Sequence, residues 1–151
     1  MDIQNLKGTH WSARKVDHIY IVSIKNRSNI VEALTDFIRN QNIQAGEVTG
    51  IGAVSEATLR FFNPSTKNYV DKTFKEQMEV THISGNVAEI EEKISLHLHI
   101  TLGREDYTAL AGHLLEATIQ GAAEFIFYPL HTRVVKVKNQ EIGINLYDFE
   151  K

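Results

Sequence analysis

The sequence predicts an α+β fold built on a single, mainly antiparallel β-sheet. Three observations predict it. Helical periodicity is confined to one segment, where Ile30, Leu34, Phe37 and Ile38 recur at helix spacing. The remaining apolar segments are mostly short, and they alternate or run continuously between turn residues. No linker, internal repeat or low-complexity tract breaks the 151 residues. A chain of this length suits one domain, residues 1–151, with a sizeable core.

In order along the chain, the first strand is predicted around Val16 to Lys25. Ser28 then offers a helix N-cap. Val31 and Ala33 widen the apolar stripe of the helix, which is expected to end near Asn40-Gln41-Asn42. Val48 to Val54 reads as a strand carrying Gly50 and Gly52, and two glycines so close together predict a bulge or a close backbone approach. Their spacing matches neither a dinucleotide fingerprint nor a phosphate-cradling P-loop. Ala57 to Phe62 reads as a strand ended by Asn63-Pro64-Ser65. Thr73 to Ser84 reads as another, turning at Gly85-Asn86. A strand from Ile94 to Leu102 follows, then one from Ala122 to Leu130, and shorter candidates at 133–138 and 142–147.

Composition excludes several classes. The chain is 42% hydrophobic and 23% charged, ordinary for a globular protein. No apolar run approaches the ~18 residues needed to span a bilayer. The first residues lack the charged and apolar regions of a signal peptide. Cysteine is absent, so disulfides, a thiolate nucleophile and cysteine metal ligands are excluded. A cytoplasmic location without membrane association is the expectation. The net charge of −3 argues against a protein that grips DNA through phosphate neutralisation alone. Arg133, Lys136 and Lys138 form one local basic cluster. Their parity along a strand does not give a single stripe, and the expectation is a solvated surface.

The chemistry-bearing pattern is Ile94-Ser95-Leu96-His97-Leu98-His99-Ile100-Thr101-Leu102. Ile94, Leu96, Leu98, Ile100 and Leu102 share one face of a strand, and Ser95, His97, His99 and Thr101 share the other. The two imidazoles therefore project side by side, about 7 Å apart along the backbone. Neutral imidazoles at that spacing can converge on one ion. His113 follows beyond Gly103-Arg104-Glu105-Asp106, a segment suited to turning the chain back, and would supply a third nitrogen. A His-x-His pair on a strand is also compatible with two solvated or hydrogen-bonded side chains.

Four segments arrive in a particular order: Gly50-Ile51-Gly52-Ala53-Val54, then Ile83-Ser84-Gly85-Asn86, then Leu96 to Leu102, then Gly112-His113-Leu114-Leu115-Glu116. The ordered set resembles the plants-and-prokaryotes-conserved domain, over roughly Tyr20 to Leu130. The resemblance implies a single antiparallel sheet with flanking helices, assembled as a homotrimer. It also implies that His97, His99 and His113 form the metal-binding trio of prokaryotic members, usually taken as a zinc site, with iron or nickel as alternatives. Plant members use the domain for assembly and contacts with other nuclear proteins, while a separate AT-hook grips DNA. Prokaryotic members are often labelled DNA-binding by association. This chain has no Arg-Gly-Arg-Pro core of an AT-hook. Arg27-Ser28-Asn29 stands where the family often has Gly-Glu-Asp, and Glu76-Gln77-Met78-Glu79 where it has Gly-Arg-Phe-Glu.

Other polar residues have two readings each. Glu116, three residues after His113, would share its face on a helix and could orient an imidazole or act as a general base on a metal-bound water. The favoured reading of Glu116 is a solvated carboxylate. Glu105 and Asp106 decorate a turn. His10, His18, His82 and His131 read as surface or satisfied structural histidines. Trp11, Phe61, Phe62, Phe125, Phe127 and Tyr128 read as core or subunit-interface residues. Three functions compete on these grounds. They are a metal-containing homotrimeric module that binds a protein or small-molecule partner, a metal-dependent small-molecule hydrolase or lyase, and a DNA-binding protein.

Overall fold

Alternation of buried and exposed residues produces long strands, and one amphipathic helix covers part of the sheet they form. In a computed structural model, residues 2–151 are described. The elements are β1 (Ile3–Lys7), β2 (Trp11–Val16), β3 (Ile19–Ile24), α1 (Ile30–Asn40), β4 (Gly46–Asn63), β5 (Asn68–Phe74), β6 (Met78–Ile90), β7 (Lys93–Gly103), β8 (Ala109–Pro129), β9 (Val135–Lys138) and β10 (Asn145–Asp148). All ten strands belong to one sheet, ordered β1-β2-β3-β8-β4-β6-β9-β10, with β5 on β4 and β7 on both β6 and β8. Every pairing is antiparallel except β6 with β9. The α+β class and the mainly antiparallel sheet therefore stand. One helix, rather than several, flanks the sheet among the described residues.

The helix begins one residue later than expected. Asn29, not Ser28, is the N-cap, and its Oδ1 accepts from the backbone of Val31 at 2.9 Å and of Glu32 at 3.2 Å. These are two of the amides that a helix start leaves unpaired. The Ser28 hydroxyl instead pairs with His10 Nδ1 at 3.2 Å. Ile30, Ala33, Leu34, Phe37 and Ile38 bury the predicted face. Phe37 packs edge-on against Trp11, Tyr20 and Phe127, with centroids 5.1, 5.3 and 5.7 Å away. That cluster pins α1 to one face of β2, β3 and β8.

Several strand expectations need correction. Val48 to Val54 and Ala57 to Phe62 are parts of one strand, β4, and Thr73 to Ser84 spans the end of β5, a break and the first half of β6. Val16 to Lys25 is not one strand: the chain reverses at Asp17-His18, where Asp17 takes a positive φ of 53°. Aspartate tolerates that conformation because its short side chain can bond locally. Gly85-Asn86 is not a turn. β6 runs through it to Ile90, and the reversal comes at Glu91-Glu92, with φ of 49° and 62°. Gly85 is needed for another reason: a Cβ there would overlap the carbonyl oxygen of His97 on the next strand. The segment after His113, whose local structure the sequence leaves open, is strand: β8 runs from Ala109 to Pro129. The glycine pair in β4 behaves as expected, since the register of β4 on β6 shifts between Gly50 and Gly52.

The pairings of β4, β6, β7 and β8 close a circuit, because β7 bridges β6 and β8 while β4 also pairs with both. Leu98, Ile100 and Leu102 of β7 are buried in the core with Val54, Leu114 and Ile119. Ile94 and Leu96 pack against the same core. The predicted apolar stripe of the histidine strand therefore anchors it, and the residues between are turned to the opposite face.

Candidate metal centre

The fixed register of β7 and β8 brings the histidines together. His99 lies directly across from His113. His97, two residues back on the same face, lies across from Asn86 on β6, and His99 lies across from Ser84. Ring centroids are 5.0 Å apart for His97–His99, 4.9 Å for His97–His113 and 5.6 Å for His99–His113. One ring nitrogen from each falls within 4.8 Å of the others, and the three form a potential metal-ion group. The Nε2 atoms of His97 and His99 face each other at 3.2 Å. Two nitrogens bound tetrahedrally to zinc at about 2.0–2.1 Å are about 3.3 Å apart, so this separation fits a shared ion. His113 would have to close in modestly.

Protonation favours the same use. Burial pushes the His97 imidazole down to about 4, helped by the positive charge of Lys136 and by the neighbouring His113 and His99. Burial also lowers His113, with His99 and Arg60 reinforcing it and Asp71 opposing. Both rings are therefore neutral at neutral pH, the form that offers a lone pair to a metal.

The row continues beyond His113. Arg60 on β4 is its cross-strand partner, and Asp71 on β5 is the partner of Arg60. Arg60 donates to both Asp71 oxygens, at 2.7 and 2.8 Å, and its guanidinium lies 4.7 Å from the Tyr69 ring centroid. That pair raises the arginine and holds the Asp71 carboxyl below its ordinary range. On the other side, Lys136 reaches Asn86 and is buried. The expected solvated basic surface is corrected at Lys136 alone, which is enclosed: Arg133 and Lys138 are exposed, and Arg133 pairs with Glu89 through contacts of 2.6 and 2.9 Å. The sequence pointed to neither Arg60 nor Asp71, since an Arg on one strand and an Asp eleven residues later meet only through the β4–β5 register.

Glu116 is placed by a bulge. Its partner is Thr58 and that of His113 is Arg60, so three residues of β8 match two of β4. Glu116 therefore returns to the face of His113, although a regular strand would put it on the other. Its carboxylate accepts from the Thr58 hydroxyl at 3.3 Å, and it does not belong to the ligand cluster. Asp106 accepts from the amide and hydroxyl of Thr108 at 2.9 and 2.6 Å and closes the β7–β8 turn, as expected of a turn residue. Trp11, Phe125 and Phe127 are core residues, whereas Phe61 and Tyr128 are exposed.

Comparison with known proteins agrees with this arrangement of strands. A crystal structure from Bacteroides thetaiotaomicron VPI-5482, described as a "putative DNA-binding protein", is 50% identical. It superposes with a TM-score of 0.92 over 95% of this chain and 100% of that one. A protein from Ralstonia eutropha JMP134 with the same description is 27% identical, with a TM-score of 0.84 over 91% of this chain and 95% of that one. A metal-containing protein from Archaeoglobus fulgidus is 26% identical, with a TM-score of 0.81 over 88% of this chain and 94% of that one. Among proteins with curated descriptions, no sequence matches. The model of the Plants and Prokaryotes Conserved domain matches residues 12–131, from the second strand through the end of the long strand that carries His113. With that span matched, the chain belongs to the Plants and Prokaryotes Conserved domain family.

Proposed function

We propose that the chain acts as a single-domain, homotrimeric metal-binding module. His97, His99 and His113 hold one divalent transition metal per subunit, zinc ahead of iron or nickel, and the centre presents a protein or small-molecule partner with an open coordination position. The observation that carries this reading is the convergence of three imidazole nitrogens within 4.8 Å on rigid, paired strands. A metal-containing relative supports it. Three nitrogen ligands leave a position free. When bound, the ion supplies Lewis acidity and lowers the pKa of a water in that position. The chain's own part is to hold the rings oriented, with Ser84 and Asn86 beside His99 and His97 across the strand pair.

The trimer is supported by apolar residues exposed on the face of the sheet that carries the histidines. Ile21, Ile51 and Tyr128 are 50%, 51% and 41% exposed, and the cross-strand row Ile21–Ile126–Thr49–Ser84–His99 joins that patch to the centre. Association that covers them would remove apolar area from water. A cytoplasmic location fits a chain without cysteine. Among the described residues, no helix is long and apolar enough to cross a membrane.

A metal-dependent hydrolase or lyase is the second reading, favoured by the open position and the charged groups flanking the rings. The module is preferred because no described carboxylate joins the histidine cluster and Glu116 is bonded to Thr58. DNA binding rests on the descriptions of two relatives. The net charge of −3 opposes it, as does the engagement of Arg133 with Glu89. Light scattering coupled to elemental analysis tests the preferred reading, on protein purified without a metal-affinity column. The expected result is a mass of three chains with one metal per chain. A monomeric mass across micromolar concentrations, or a metal content near zero, would reject the corresponding half.

A further inference from the structure

Lys136 is a cation without a counter-charge beside the histidine trio. It sits on the four-residue strand β9, where a lysine ordinarily extends into water. Here the residue is only 9% exposed. Its Nζ donates to Asn86 Oδ1 at 2.7 Å and lies 4.9 Å from the centroid of the Tyr147 ring. Asn86 is the residue directly across from His97. Lys136 therefore reaches the residue that backs His97 across the strand pair. Among the described residues, no carboxylate oxygen lies within 4.0 Å of Nζ. Three arginines differ: Arg60 is held by Asp71, Arg104 by Glu76 and Arg133 by Glu89.

An ammonium taken out of water is costly unless an opposite charge compensates it. An amide oxygen and an aromatic face compensate only in part. Three imidazole ligands likewise bring no negative charge to a divalent ion. Two positive charges, both left uncompensated by protein groups, would then stand next to each other, and an anion lodged between them answers both.

Resting on the metal reading above, we propose that Lys136 is the anion-recognising residue of the centre and that its ligand is a small carboxylate, one oxygen on the metal and the other accepting from Lys136 Nζ. A carboxylate has two acceptor oxygens and a single charge, which suits one ion and one ammonium. Phosphate is typically gripped by several donors, a bidentate arginine or a helix N-terminus. Here Arg60 is already committed to Asp71.

The test uses the whole chain loaded with cobalt(II), whose visible spectrum changes when its coordination changes. Acetate should alter the spectrum and saturate on the order of millimolar, while neutral acetamide should not. Lys136→Met and Lys136→Gln should each weaken acetate at least tenfold, and Lys136→Arg should retain most of the affinity. All three variants should bind one cobalt per chain. Equal acetate affinity in wild type, Lys136→Met and Lys136→Gln would overturn the role of Lys136 and leave the metal reading standing. Lys136-dependent binding of inorganic phosphate without binding of acetate would overturn the carboxylate assignment. Loss of cobalt from all three variants would make Lys136 a structural residue and overturn the proposal. Wild type that fails to bind cobalt would overturn the metal reading and the clamp together.

Discussion

Replacing His97 with alanine should empty the centre and leave the fold in place. His97 contributes one of three nitrogens, and its Nε2 stands 3.2 Å from that of His99. Two remaining imidazoles chelate far less well, and after exhaustive dialysis His97→Ala should retain less than about a tenth of the wild-type metal. The side chain lies on the face opposite Leu96 and Leu98, which anchor β7 in or against the core. The backbone pairing of His97 with Asn86 does not depend on the ring. Metal-free wild type and metal-free His97→Ala should therefore melt within about 3 °C of each other. Metal content equal to wild type would show that the ion, if any, is held elsewhere. A collapse of the metal-free melting temperature would show that the ring is structural.

Gly85→Ala should damage both fold and centre. The added Cβ would overlap the carbonyl oxygen of His97 and sit 2.9 Å from Leu98 Cδ2. A flexible side chain could step aside, but the carbonyl is part of the β6–β7 ladder and cannot. The strands must separate where Asn86 faces His97 and Ser84 faces His99. The expected cost is about 3 kcal/mol, the upper part of the overpacking range, a large share of the ~5–15 kcal/mol that holds a domain together. Urea denaturation of the metal-free proteins measures it, and metal content should fall in parallel because the imidazoles move with their backbone. Gly112→Ala is the control beside His113: its nearest neighbour would be the Arg60 carbonyl oxygen at 3.5 Å, an ordinary contact. That variant should shift stability by less than about 1 kcal/mol. Equal denaturation midpoints for wild type and Gly85→Ala would contradict the close approach.

How much of this was legible in the sequence depended on the range of the interactions. The histidine strand was readable because alternation is local: five apolar residues on one face fix where His97 and His99 point, and β7 follows the pattern closely. The helix face was readable for the same reason. The bulge at Gly50 and Gly52 was readable because two glycines weaken a strand wherever they occur. Gly85-Asn86 misled because glycine has two uses. A turn was expected, while the structure uses the missing side chain to let two strands approach, and it turns instead at Glu91-Glu92, which carries no turn signature. The segment after His113 is not the helix on which Glu116 would share its face, yet a bulge in β8 gives the two a common face by another route. Arg60, Asp71 and the burial of Lys136 depend on pairings between distant strands, and no local pattern encodes those. The order of motifs that resembled the family linked His113 to the pair on β7 across a turn, and the structure does bring the three rings together.

The central claim is that His97, His99 and His113 share one ion. Anomalous diffraction at the absorption edge of the metal found by elemental analysis tests it most directly, on crystals of protein purified without a chelating column. One peak per chain is expected, about 2.0–2.1 Å from a ring nitrogen of each of the three histidines. A peak bound by other residues, or ordered histidines with no peak among them, would contradict it.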